Sequence, residues 1–86
     1  MDNDNVKLSI SRLYRQCGTL AEDNIFVSDD GYFDLYNRNG DLCCMDGEDV
    51  FVINHENGSY LLKNINGDKD VYFILSDKEF EAARMD

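Results

Sequence analysis

Proline is missing from this 86-residue chain, histidine occurs once and cysteine only three times. Basic residues are scarce as well: 8 lysines and arginines stand against 18 aspartates and glutamates, a formal net charge of −10. No apolar run is longer than about five residues, far short of the ~20 that a membrane-crossing helix needs. Each shortage excludes something. With so little positive charge, binding to bare nucleic acid or to an anionic membrane is disfavoured, because both would repel the chain. Cys17, Cys43 and Cys44 are odd in number, form no CxxC and match no zinc spacing, so they predict reduced thiols in a reducing cytoplasm rather than a disulfide framework or a metal knot. The opening Met1-Asp2-Asn3-Asp4-Asn5 is polar and acidic, unlike a secretory leader, which again points to the cytoplasm. There the Asn57-Gly58-Ser59 sequon has no role.

Catalytic and cofactor-binding patterns are equally thin. A nucleophile needs a base beside it. The one histidine, His55, falls in a predicted turn and reads as a solvated surface residue. Cys17 lies on an apolar stripe and reads as core. Cys43 and Cys44 are adjacent, so on a strand they point to opposite faces and one of them is expected to be exposed; no basic neighbour is in view to activate it. An EF-hand loop requires an acidic residue five positions before its glycine. The residues five before Gly31, Gly40, Gly47, Gly58 and Gly67 are Phe26, Leu35, Leu42, Ile53 and Leu62, all apolar. There is no GxGxxG, no GxxxxGK and no basic patch interleaved with aromatics. The expectation is a protein that is not an enzyme and carries neither cofactor nor metal.

What is present organises the chain as one α+β domain, residues 1–86, with 43% hydrophobic residues to build a core. Val6, Ile10, Leu13, Tyr14 and Cys17 fall on one helical stripe, with Asp4 as N-cap and Gly18 as the terminating residue, predicting a helix over about 5–17. Six short strands follow at 25–27, 32–36, 42–45, 50–54, 59–63 and 71–75, each break carrying Gly with Asn or Asp, the residues of tight hairpins. That rhythm predicts an antiparallel meander. Ser76-Asp77-Lys78-Glu79 is a capping box opening a second helix over about 77–85, with Phe80, Ala83 and Met85 toward the sheet. Val50–Ile53 and Val71–Leu75 are apolar on both faces and read as central strands covered by helices. Tyr32–Tyr36 alternates: Phe33 and Leu35 point in, while Tyr32, Asp34 and Tyr36 point out.

In an up-and-down meander successive turns alternate between the ends of the sheet. The first, third and fifth turns then share one end, and they carry Asp29 and Asp30, Asp46, Glu48 and Asp49, and Asp68 and Asp70, against the single base Lys69. The other end carries Arg38 and Glu56, which cancel. Carboxylates on neighbouring hairpin tips would stand roughly 5–10 Å apart, given the ~4.8 Å between strands, a scale similar to that of phosphates along a nucleic-acid strand. Such a rim suits a groove whose lysines and arginines otherwise hold phosphates. Solubility and the natural preference of turns for Asp account for part of the same pattern. A second candidate surface is Tyr32, Asp34 and Tyr36, since tyrosine is enriched at interface hot spots; tyrosines tiling a half-exposed sheet face are the plainer reading.

Size, charge, the missing catalytic motifs and the strand-to-capped-helix ending Phe73-Ile74-Leu75-Ser76-Asp77-Lys78-Glu79-Phe80-Glu81 make the chain resemble small acidic proteins of phages and mobile elements, among them anti-CRISPR proteins and other DNA mimics. The resemblance implies inhibition of a basic, nucleic-acid-binding host protein by occupation of its cleft. The alternative is a structural or adaptor module, self-associating through an apolar sheet face or an open edge.

Overall fold

The structure, a computed structural model, describes residues 5–85. Along the chain lie β1 (Asn5–Leu8), α1 (Ile10–Gln16), β2 (Asn24–Asp29), β3 (Tyr32–Asn37), β4 (Leu42–Met45), β5 (Glu48–Glu56), β6 (Ser59–Asn66), β7 (Lys69–Ser76), α2 (Asp77–Ala83) and β8 (Arg84–Met85). The class is α+β. The arrangement differs from a helix, a single meander and a helix: among the described residues eight strands form two antiparallel sheets, β7-β6-β5-β1-β8 and β2-β3-β4.

The first difference is at the start. Residues 5–8 are a strand, and the helix is confined to Ile10–Gln16. Val6 and Leu8 turn inward while Asn5 and Lys7 stay exposed, a period of two. A spacing of four from Val6 to Ile10 fits this pattern as well as a helix, which is why the stripe misleads. Ser9 is extended and caps the helix, its hydroxyl accepting from the Arg12 amide. The proposed cap Asp4 lies outside the described residues. At the far end Gly18 does not take a positive φ; the helix stops at Cys17, whose amide still donates to the Leu13 carbonyl.

The meander divides because β4 and β5 do not pair. β1 runs antiparallel to β5, with Val6 opposite Val50 and Leu8 opposite Glu48, so it takes the place a meander would give to β4. Gly47 donates to the Leu8 carbonyl as the chain crosses from one sheet to the other. Hairpins hold elsewhere. Asp30 and Gly31 (φ 52° and 83°) join β2 to β3, and Asn57 and Gly58 (φ 54° and 78°) join β5 to β6. Two successive positive φ values make a type I′ turn, whose twist matches the strands it connects.

α2 opens with the expected capping box: the Glu79 amide donates to the Ser76 hydroxyl and the Ser76 amide to the Glu79 carboxylate. Phe80 and Ala83 are buried as expected, but Met85 leaves the helix and joins β8. The core gathers Leu8, Ile10, Leu13, Leu35, Val50, Leu62, Phe73, Leu75 and Phe80 between the inner faces of the two sheets and the helices. β5 is central as expected, whereas β7 is an edge strand, and the outer sides of both strands are uncovered: Phe51, Ile53 and Tyr72 remain 40–52% exposed.

Candidate partner-binding surface

The three-stranded sheet has one covered and one open face. On the covered side α1 supplies Tyr14, whose ring stacks on Phe33 (4.7 Å between centroids) and meets Phe26 edge-on at 5.2 Å. The open face follows from register. Ile25 lies opposite Tyr36, Val27 opposite Asp34, Asp29 opposite Tyr32, and Asp34 opposite Met45. Cross-strand partners share a face, so these side chains form one surface. Tyr32 is 71% exposed, and Ile25, Val27 and Met45 are 39–46% exposed. Tyr32, Asp34 and Tyr36 therefore stand together as the sequence indicates. Ile25, Val27 and Met45 were missed: Ile25-Phe26-Val27 is an unbroken apolar run whose polarity marks no face, and only pairing with β3 and β4 does.

At one end of this face Asp29, Asp30, Tyr32, Asp34, Met45 and Asp46 line an open cleft of about 370 Å³. Carboxylates with no cation among them border an apolar floor. Here the first and third turns meet, as the sequence argument requires. The fifth contributes no residue to this cleft. Asp68 and Asp70 belong to the β6–β7 hairpin, which lies beside the start of β4: Asn66 donates to the Leu42 carbonyl and Lys69 pairs with Asp41. That ion pair, with an amide from Asn37, holds the Asp41 carboxyl below its usual range. Division of the strands into two sheets thus splits the seven-acid rim.

Several of the expected contact acids have structural partners. The Asp46 carboxylate accepts from the amides of Ile10 (2.7 Å) and Ser11 (3.3 Å), two amides of the first turn of α1 that have no partner within the helix. The Glu48 carboxylate accepts from the Met45 amide and from the Asn64 side chain. Asp49 pairs with Lys7 at 3.3 Å. Asp29, Asp30 and Asp34 are the acids on the cleft for which no such internal tie is in view.

Neither cysteine of the adjacent pair is exposed, contrary to expectation; Cys43 and Cys44 are both fully buried. Leu35 pairs with Cys44 and Tyr36 with Leu42, so Cys43 is the extra residue of a bulge and escapes strict alternation. Burial raises the Cys43 thiol to about 12, with Asp41 adding to the shift, and raises the Cys44 thiol further. His55 is not in a turn but near the end of β5. Its ring stacks on Tyr60 at 3.8 Å, Tyr60 stacks on Phe80 at 3.8 Å, and its Nε2 lies 2.8 Å from an Asp77 carboxylate oxygen. Glu79, 4% exposed, also accepts from the Ala21 amide, pinning the loop after α1.

A second cleft, about 260 Å³, lies between β7 and the β3–β4 turn, where Asp23 and Arg38 pair at 3.3 Å and cancel. Among the described residues no group of three or more His, Cys, Asp or Glu is placed to hold a metal ion, and no helix is long and apolar enough to cross a membrane. No protein-family model, no curated protein and no solved structure matches the chain.

Proposed function

We propose that this chain is a non-enzymatic binding protein of the cytoplasm, an inhibitor that occupies the phosphate-binding cleft of a basic, nucleic-acid-binding protein in the manner of a DNA mimic. One observation carries the reading: the open face of β2-β3-β4 combines exposed Tyr32, Ile25, Val27 and Met45 with Asp29, Asp30, Asp34 and Asp46, and no basic residue intervenes. Apolar and tyrosine side chains supply contact energy. The carboxylates meet the lysines and arginines that otherwise hold phosphates, steer association and exclude partners of like charge. This keeps Asp29 and Asp30 of the rim and joins them to the second candidate surface, Tyr32, Asp34 and Tyr36, with its apolar neighbours. Asp46, Glu48 and Asp49 serve the fold at the same time.

The test is capture from a host lysate on the immobilised full chain and on an Asp29→Asn/Asp30→Asn/Asp34→Asn variant, at low salt and at about 0.5 M salt, where the screening length falls to about 4 Å. A nucleic-acid-binding protein held by the wild type at low salt, released at high salt and not held by the variant is the expected result. Retention that is indifferent to salt and to the three substitutions would remove the basis for the reading.

A further inference from the structure

The outer face of the five-stranded sheet differs in chemistry from the rest of this acidic molecule. Register places Met85, Lys7 and Asp49 in one row, and Phe51, Lys63 and Tyr72 in the next. Ile65 and Asp70, two residues along from Lys63 and Tyr72, lie on the same side. Five strands roughly 4.8 Å apart, with eight or nine residues in β5, β6 and β7 but four in β1 and two in β8, give a face about 24 Å across. Phe51, Ile65, Tyr72 and Met85 on it are 40–52% exposed. Neither helix covers it, because both sit on the inner side with the core.

Its charges are balanced. Lys7 stands against Asp49, Lys63 lies 5.6 Å from the centre of the Phe51 ring, and Asp70 is the remaining acid of its middle. Glu56 lies out at the hairpin tip. Among the described residues two positive and two negative groups thus occupy the middle of this face, in a chain whose formal charge is −10. The open face of β2-β3-β4 carries acids and no base, so two copies meeting there would bring carboxylate against carboxylate.

We infer that the chain forms a two-fold dimer through the outer face of β7-β6-β5-β1-β8, the partner being a second copy. In a two-fold contact each residue set meets its own symmetry mate, and a face with equal numbers of lysines and aspartates can pair each sign with the other. Two sheets stacked face to face about 10 Å apart would bury the apolar side chains. The area is below that of a standard stable interface, so the association is expected to be weak, in the micromolar range or above. Both inner faces meet one core, so the acid-bordered face of each copy would look outward. The dimer would then present two such faces. This inference does not depend on the proposed function, since it concerns the purified chain alone.

Sedimentation equilibrium of the full chain from about 10 µM to about 1 mM, at about 0.05 M and about 0.5 M salt, tests it. The expected result is a reversible monomer–dimer equilibrium that tightens several-fold as salt rises, because salt screens the repulsion between two chains of charge −10. That is the opposite sign to an electrostatic complex with a basic partner. Ile65→Lys/Tyr72→Lys should weaken dimerisation at least tenfold with its melting curve retained, while Ile25→Lys/Val27→Lys should leave it unchanged. Should the first variant fail to fold, concentration-dependent amide shifts of the wild type give the location, and they should cluster at residues 51, 63, 65 and 72. A wild type that stays monomeric throughout, a folded Ile65→Lys/Tyr72→Lys variant that dimerises normally, or shifts that cluster on β2 and β3 would each overturn the inference.

Discussion

At the residue scale the two buried thiols give the plainest physical consequence. A free cysteine titrates near 9, and burial holds Cys43 protonated to about 12 and Cys44 beyond it. Below pH 9 both states keep their protons and nothing is lost. Between pH 9 and 12 the unfolded chain releases protons that the folded chain retains. The folded state then binds more protons, and stability falls as pH rises, by about 1.4 kcal/mol per pH unit for each thiol so held. Urea unfolding from pH 8 to 11 should show this decline, and Cys43→Ala should make it shallower. The same burial means that a thiol reagent should label only half-buried Cys17 in the native chain and all three cysteines once it is unfolded. Rapid native labelling of three thiols would contradict the bulge that buries the pair.

At the element scale, short helices depend on their ends. α1 has seven residues, too few to persist on propensity alone. Its first amides are held by Ser9 from within and by Asp46 from a turn 36 positions away. Asp46→Ala should cost about 1 kcal/mol, a fall of roughly 4–8 °C in Tm, and Asp46→Asn, which keeps an acceptor, clearly less. Equal losses would mean the carboxylate does not act as a cap.

That contact also shows where the sequence was legible. The capping box of α2, the I′ hairpins and the alternation of Tyr32–Tyr36 are local signals, set by residues one to four apart, and the structure has them all. The insertion of β1 beside β5 is a contact between residues 40–46 positions apart, and no local pattern announces it. Val6, four residues before Ile10, fits strand and helix equally, and only a partner for residues 5–8 decides between them. Because the expected acidic rim rested on one continuous meander, it inherited that gap: Asp29, Asp30 and Asp46 meet at one cleft while Asp68 and Asp70 go elsewhere.

At the scale of the whole molecule, charge and exposed apolar surface are distributed unevenly, and the two sheets divide them. One outer face has acids around tyrosine and aliphatic side chains. The other has balanced charge around Phe51, Ile65 and Tyr72. Exposed contiguous apolar surface on a small protein favours contact with another molecule, and on the proposed reading the surrounding charge would separate a basic partner from a second copy. Concentrated carboxylates repel one another, a cost that neutralisation by a cationic partner would offset. The central claim is that the acid-bordered face takes the place of nucleic acid on such a partner. Its most direct test is competition: labelled duplex DNA bound to the purified partner, titrated with the chain and followed by fluorescence anisotropy. The account predicts full release of the DNA, at concentrations at least tenfold higher for Asp29→Asn/Asp30→Asn/Asp34→Asn. Simultaneous binding of DNA and protein to the partner, or release unaffected by the three substitutions, would contradict it.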